Sequence, residues 1–288
     1  QKCEQWKEHL QRVHALKHEF DAALHQALAV QNTEKARQLQ HRLGQEVSAL
    51  AEEVLPVLRM AERARKHCKD NYERWGLQEL ANTMPEKVKL TREQRERIKE
   101  LAEKEGFDSM MILPKELTKH RAAIVKATTK PIHGLAKSQQ YNDTEPIWMS
   151  GTVKPYFPNQ IQTVGRNEGA YLMFFKETQE VPKDTLGKSP QTLEQEFAAK
   201  GLTGWTLEEA LLQQRQYTEQ HVREVNPHPD TKYYAYLLNS RVQHSGSVRM
   251  LDVFWGSGCC QMRVASLIMA DEPGLAGGRP SAIFELGA

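Results

Sequence analysis

The chain has 288 residues, 26% of them charged, and its 39 basic and 37 acidic side chains leave a net charge of +2. That length can hold two domains and at least one sizeable core. The near balance of charge argues against an obligatory nucleic-acid partner, which needs a basic excess on one face, and no apolar run approaches the length of a membrane span.

The chain opens on a helical period. Trp6, Leu10, Val13, Phe20, Leu24 and Ala27 recur at three and four residues. After a break at Asn32-Thr33, Leu39, Leu43, Val47, Leu50, Val54, Val57, Ala61, Ala64, Cys68 and Trp75 do the same. This coiled-coil-like seam with a short break predicts an antiparallel helical hairpin over residues 1–76. Asn32 or Thr33 is the expected cap of the second helix, Pro56 should kink it, and Gly76 should stop it. The seam fits packing within one chain or self-association between chains. Because Gln1 already lies inside the periodic helix, an upstream segment is expected.

Residues 77–106 read as a connecting helix, with a capping-box pattern at Thr91 and Gln94 and a stop at Gly106. Phe107 to Leu113, closed by Pro114, reads as a strand. Residues 128–168, rich in Pro, Gly, Asn and Thr, read as loops and short strands around Trp148, Tyr156 and Phe157. Gly169 to Phe175 is the best internal strand, ended by Val181-Pro182. A helix follows from a second capping box at Thr206 and Glu209, and Asn226-Pro227-His228-Pro229 breaks it. Helix is expected to resume near Tyr233 and run towards Val242. Val248 to Phe254 leads into a terminal segment of two short strands and irregular loops. The fold class is α+β, with a helical N-terminal half before a mixed domain over residues 107–288.

Residue types that carry chemistry are scattered. Cys3, Cys68, Cys259 and Cys260 lack a C-x-x-C spacing, and adjacent cysteines rarely meet disulfide geometry. They read as reduced thiols of a cytoplasmic protein. His14, His18 and His25 have a spacing that could place two imidazoles on a metal, but they flank the seam and read as a solvated face. His228-Pro229-Asp230 matches the HPD tripeptide of J-domain co-chaperones. The preceding segment has only Arg215 and Arg223 as permanent cations, so ordinary turn chemistry is the better reading. Gly274, Gly277 and Gly278 lack the P-loop pattern and read as a loop. Trp148, Tyr156, Phe157, Tyr171, Phe174, Phe175 and Trp255 could stack on a ligand, and most of them read as core. No catalytic set, metal site or cofactor site stands out.

Four stretches carry a resemblance: GRNEGAYLMFFKETQEVP (Gly165 to Pro182), VRMLDVFWGSG (Val248 to Gly258), VASLIMADEPG (Val264 to Gly274) and GGRPSAIFELGA (Gly277 to Ala288). Over roughly its last 180 residues the chain resembles the variable proteins of diversity-generating retroelements, of the type found in candidate-phylum bacteria. The resemblance implies a C-type lectin-like fold in its formylglycine-generating-enzyme-like form, and a non-enzymatic function of binding a protein or surface ligand. Such proteins commonly continue a few residues further, so a truncated C-terminus is expected.

In that family, error-prone reverse transcription of a template repeat at adenines rewrites selected codons. The positions carried over are Gly256, Ser257, Gly258, Cys259 and Cys260, then Asp271, Leu275, Ala276, Gly277, Gly278, Arg279, Ser281, Ala282, Ile283 and Phe284. They are expected to form a shallow contact face, with Arg279, Ile283 and Phe284 as anchors. Trp255, Val264, Leu286 and Gly287 would form the invariant frame. Mutating the adenines of an Asn codon never yields Lys, Glu, Gln, Met or Trp, and Gly274 to Phe284 contains none of these. Two other classes compete: a coiled-coil scaffold with a passive C-terminal domain, and an enzyme of the formylglycine-generating type. Adjacent Cys259-Cys260 departs from the spaced copper-binding cysteines of that enzyme.

Overall fold

A computed structural model describes residues 15, 17–22, 33–141, 147–151, 153–157, 159–225, 227–256, 261–269 and 276–286. The chain divides into two compact units, Gln1–Met60 and Ala61–Ala288. Of the first predicted helix, residues 15 and 17–22 are helical and the rest lies outside the described residues. Among the described residues, no helix is long and apolar enough to cross a membrane.

Helix α1, Thr33–Trp75, runs without interruption through Pro56. It is rich in Ala, Leu, Glu, Gln and Arg, all good helix formers. It stops where expected: Gly76 takes φ +80°, a left-handed conformation that costs glycine nothing. In the second unit its last turns bury Ala61, Cys68, Tyr72 and Trp75 at helical spacing. The Tyr72 hydroxyl donates to the Ile112 carbonyl at 3.1 Å. The predicted connecting helix is two pieces, α2 (Gln78–Asn82) and α3 (Arg92–Lys104). The Thr91–Gln94 capping box is present in both directions, and α3 buries Ile98 and Leu101.

Strand β1 (Ser109–Leu113) pairs antiparallel with β4 (Tyr171–Phe175), which pairs antiparallel with β9 (Ser281–Glu285). All five residues of β4 are buried, as a strand covered on both faces requires. The second sheet is built on a meander of β5 (Tyr234–His244), β6 (Ser247–Gly256) and β7 (Gln261–Met269). The short β2 (Ile147–Met149) joins β7 in parallel, and β8 (Ala276–Gly278) joins β5 in parallel. β3 (Gln162–Thr163) pairs antiparallel with β5. Three further helices, α4 (Arg121–Thr128), α5 (Pro190–Ala199) and α6 (Leu207–Gln220), complete the α+β architecture.

The expected helix from Tyr233 towards Val242 is a strand. Ala235, Leu237 and Leu238 suit a helix intrinsically, but β5 is paired on both sides, by β6 and by β3 and β8. Tertiary pairing overrides a weak local preference. At its end Ser245 and Gly246 both take positive φ, 49° and 80°, closing a two-residue hairpin onto Ser247. Helix α4 lies in a stretch with no sequence expectation. Helix α5 begins at Ser189-Pro190, where the serine side chain caps the Thr192 N–H at 3.2 Å.

A register shift in β5 between Leu237 and Arg241 pushes Leu238, Asn239 and Ser240 out of the ladder with β6. The chain segment Thr203–Trp205 uses this bulge as a strap between the two sheets. Thr203 exchanges both backbone hydrogen bonds with Ser281 of β9, each at 2.8 Å, and the Trp205 carbonyl accepts from the Asn239 N–H at 3.1 Å. Between them Gly204 lies so close to β5 that an added Cβ would meet the Leu238 Cβ at 2.5 Å. Gly204→Ala should therefore destabilise the protein by about 1–3 kcal/mol through overpacking, read as a lower urea midpoint at unchanged slope.

Candidate functional site

The terminal tract lies inside the domain over most of its described length. Gly256 is buried at the end of β6. Ala276, Gly277 and Gly278 are buried in β8, where a Cβ on Gly277 would meet Thr185 Oγ1 at 2.5 Å and one on Gly278 would meet Phe197 Cζ at 3.0 Å. Ser281 is fully buried, Ala282 and Phe284 are buried, and Ile283 is half-buried. Ser257, Gly258, Cys259, Cys260, Asp271 and Leu275 lie outside the described residues. The expected shallow contact face is therefore corrected at Gly256, at Ala276, Gly277, Gly278 and Arg279, and at Ser281, Ala282 and Phe284. The glycines there answer to close packing, which sequence composition alone does not distinguish from a loop. Trp255, Val264 and Leu286 are buried, and Gly287 lies outside the described residues.

Arg279, expected as an exposed anchor, is 4% exposed and clasps the interior. Its Nη2 donates to Asp230 Oδ1 at 2.6 Å and to the Gln179 carbonyl at 3.0 Å, and its Nη1 donates to the Thr178 carbonyl at 3.0 Å. The guanidinium also lies over the Trp205 ring, 5.5 Å from its centroid. Burial raises the Asp230 carboxyl pKa and Arg279 opposes that rise. Asp230 holds φ +52°, a left-handed conformation that Asp and Asn adopt more readily than most residues. Its N–H donates to the Gln179 carbonyl at 2.7 Å and its carbonyl accepts from the Trp255 N–H at 2.9 Å.

The neighbouring His228 is also internal, stacked on Trp255 at 3.5 Å between ring centroids and 16° between planes. Its Nε2 is 2.9 Å from the Gln139 carbonyl and its Nδ1 3.2 Å from Thr218 Oγ1. A carbonyl only accepts, so Nε2 carries the proton and Nδ1 accepts from the hydroxyl. Burial lowers the imidazole pKa from the usual 6.5 to about 4. The HPD tripeptide is thus a core device of this domain.

The densest polar arrangement is at the first turn of α6. Thr206 and Glu209 form the expected capping box, with the Thr206 N–H donating to Glu209 Oε2 at 2.8 Å. Glu209 also takes Arg166, with Nε at 2.6 Å from Oε1 and Nη2 at 3.0 Å from Oε2, and the Tyr171 hydroxyl at 2.8 Å. Burial and the negative Glu209 hold the Tyr171 pKa well above the ordinary value, so it stays a donor. Glu208 takes Arg121 Nε on Oε1 at 2.5 Å. Arg121 spends its Nη1 on the Ile161 carbonyl at 2.7 Å and its Nη2 on Thr163 Oγ1 at 3.2 Å. Glu208 and Glu209 are both fully buried. Glu208 Oε2 has no hydrogen-bond partner. Glu208, Thr206, Arg166 and Tyr171 line a recess of about 190 Å³ that reaches the surface between Glu116–Lys119 and Asn167–Glu168. The capping box was legible in sequence. The arginines that serve Glu208 and Glu209 were not, because they lie at least 40 residues away in the chain.

Cys68 is buried and free, and burial pushes its thiol up to about 12. Cys3, like Cys259 and Cys260, lies outside the described residues. His18 is exposed, and His14 and His25 lie outside the described residues. Among the described residues, no group of three His, Cys, Asp or Glu side chains is placed to hold a metal. A scan against protein-family models finds no match to the chain, and neither the curated proteins nor the solved structures contain one.

Two outcomes follow from these clasps. Arg279→Met leaves the Asp230 carboxylate buried without its cation and should cost about 3–5 kcal/mol in urea unfolding. Unfolded His228 binds more protons than folded His228 between its two pKa values, so its contribution is complete above about pH 6.5 and is lost as pH falls towards 4. The loss is on the order of 3 kcal/mol. Denaturation from pH 7 to pH 4 should show it, and His228→Gln should flatten that slope.

Proposed function

We propose that the protein is a non-enzymatic binding protein of the retroelement variable-protein type, with a C-type lectin-like domain that takes a protein or surface ligand in a cytoplasmic setting. Its contact positions are Ser257, Gly258, Cys259 and Cys260, together with Asp271 and Leu275. The observation that carries this reading is how the two tracts holding them are anchored. Gly256 and Gln261, either side of the first, are paired with each other. The second is flanked by Met269, paired with Arg249, and by Ala276, paired with Tyr234. A frame of buried strands around short tracts lets side chains change without disturbing a core. Arg279 and the β8 glycines belong to that frame.

A second reading, a coiled-coil scaffold, draws on α1. It is a 43-residue helix, and the chain up to Met60 forms a unit of its own. Sedimentation of the whole chain distinguishes them, since a scaffold acting through its N-terminal helices self-associates at micromolar concentration.

The direct test of the first reading is the DNA around the gene. A near-copy of codons 255–288 is expected beside a reverse-transcriptase gene, with adenines at codons 257–260, 271 and 275 and none of the differences at Gly277, Gly278 or Arg279. A complete locus without the copy, or differences concentrated at the buried positions, would sink it. At the protein level, replacing residues 257–260 should change ligand preference while moving the Tm by less than about 3 °C, the equivalent of roughly 1 kcal/mol for a domain of this size.

A further inference from the structure

The recess at the first turn of α6 is lined by Glu208, a buried side chain with an acceptor that has no donor, and its surroundings define what would fit. Glu208 is fully buried. Arg121 uses Oε1, while Oε2 has no hydrogen-bond partner. A buried carboxylate oxygen is among the strongest acceptors in a protein, and such groups are rarely left unmatched. We propose that this recess binds a primary alkylammonium group, with Glu208 Oε2 as its innermost acceptor.

The charges around the recess favour a cation. Lys119 is held by Glu116 at 2.5 Å. Arg166 gives Nε and Nη2 to Glu209, shares Nη2 with the Gly204 carbonyl at 2.8 Å, and gives Nη1 to the Gly165 carbonyl at 2.9 Å. Arg121 answers Glu208. Each of these cations is matched by one carboxylate, and the exposed Glu168 at the mouth adds one more negative charge. An anion would find every cation already engaged.

The donor geometry narrows the cation. A guanidinium binds a carboxylate best through both oxygens at once, and Oε1 is taken. An ammonium is a compact donor that needs one oxygen at a time and accepts nothing. Leu117 and the Tyr171 ring also line the recess, giving a short alkyl stem an apolar wall. The recess has room for more than a single water. The ammonium can be that of a small free amine or of a lysine side chain on another protein, and the same acceptors serve both.

The test is an amide-resolved NMR titration of the full chain at pH 7 with n-butylammonium chloride. Sodium chloride at matched ionic strength and sodium butyrate are the controls. Saturable shifts confined to residues 116–119, 163–168 and 206–208 are expected with the ammonium alone. Glu208→Gln should weaken binding about tenfold, the size of one charge-assisted hydrogen bond, and Glu168→Gln about twofold, as for a screened rim charge. If Glu208→Gln does not fold, Thr118→Trp, at an exposed rim position, should block the same shifts. A second arm uses N-acetyl-lysine amide: tighter binding than n-butylammonium assigns a lysine side chain, weaker binding a free amine. Absence of saturable shifts, shifts elsewhere, or a folded Glu208→Gln that binds like the parent would overturn the proposal. Because the two proposals rest on different residues, failure of this one leaves the proposed function standing, and the reverse holds too.

Discussion

Two adjacent carboxylates with no exposure to solvent, Glu208 and Glu209, are the constraint around which the second unit is arranged. Like charges so close and so dry are tolerable only if each has its own cation and enough donors. The chain supplies them from four directions: Arg121 from α4, Arg166 from the loop before β4, the Tyr171 hydroxyl from β4 itself, and the Thr206 N–H from the helix cap. Those partners tie α6 to the three-stranded sheet and to α4. Ser240 of the β5 bulge adds the other sheet, its hydroxyl accepting the Leu207 N–H at 2.8 Å. The same concentration of charge at one helix terminus keeps the partners in register, because a shifted arrangement would strand a carboxylate.

A second polar clasp, Arg279 on Asp230, closes the opposite end of the chain onto the domain. Asp230 reaches Trp255 through its carbonyl, Trp255 stacks on His228, and Arg279 covers Trp205. This explains why a tripeptide known from a different setting occurs here. His228 supplies a neutral ring for stacking, Pro229 separates the two polar residues, and Asp230 supplies both a left-handed backbone and a counter-ion. In each clasp a charge is bound by side chains and carbonyls from segments far apart in sequence.

Much of the fold was legible because it is written locally. Thr91 with Gln94, and Thr206 with Glu209, announce helix starts through contacts three residues apart. Gly76 and Gly106 announce stops through positive φ, and the run Tyr171–Phe175 announces a buried strand. What was missed depends on partners that local pattern does not contain. Tyr234–His244 reads as helix until β6 and β8 are beside it. Gly277 and Gly278 read as loop until Thr185 and Phe197 press on them. Arg279 reads as a surface anchor until Asp230 and two carbonyls enclose it. Arg121 and Arg166 carried no signal, since an arginine in sequence does not say which carboxylate it will meet.

The central position of β4 in its sheet has a kinetic consequence. Its two neighbours are β1, about 60 residues earlier, and β9, more than 100 residues later, in the order that Met173 faces Met111 on one side and Ile283 on the other. Contacts of such long sequence separation are slow to form, because the loop entropy is lost before the pairing rewards it. Until β9 arrives, the apolar strand YLMFF presents an unpaired edge, the template on which chains of this kind join to one another. The Arg279 clasp precedes β9 by only two residues, and its partners Thr178 and Gln179 follow β4 closely, so the same contact that buries the guanidinium ties the chain on either side of that pairing.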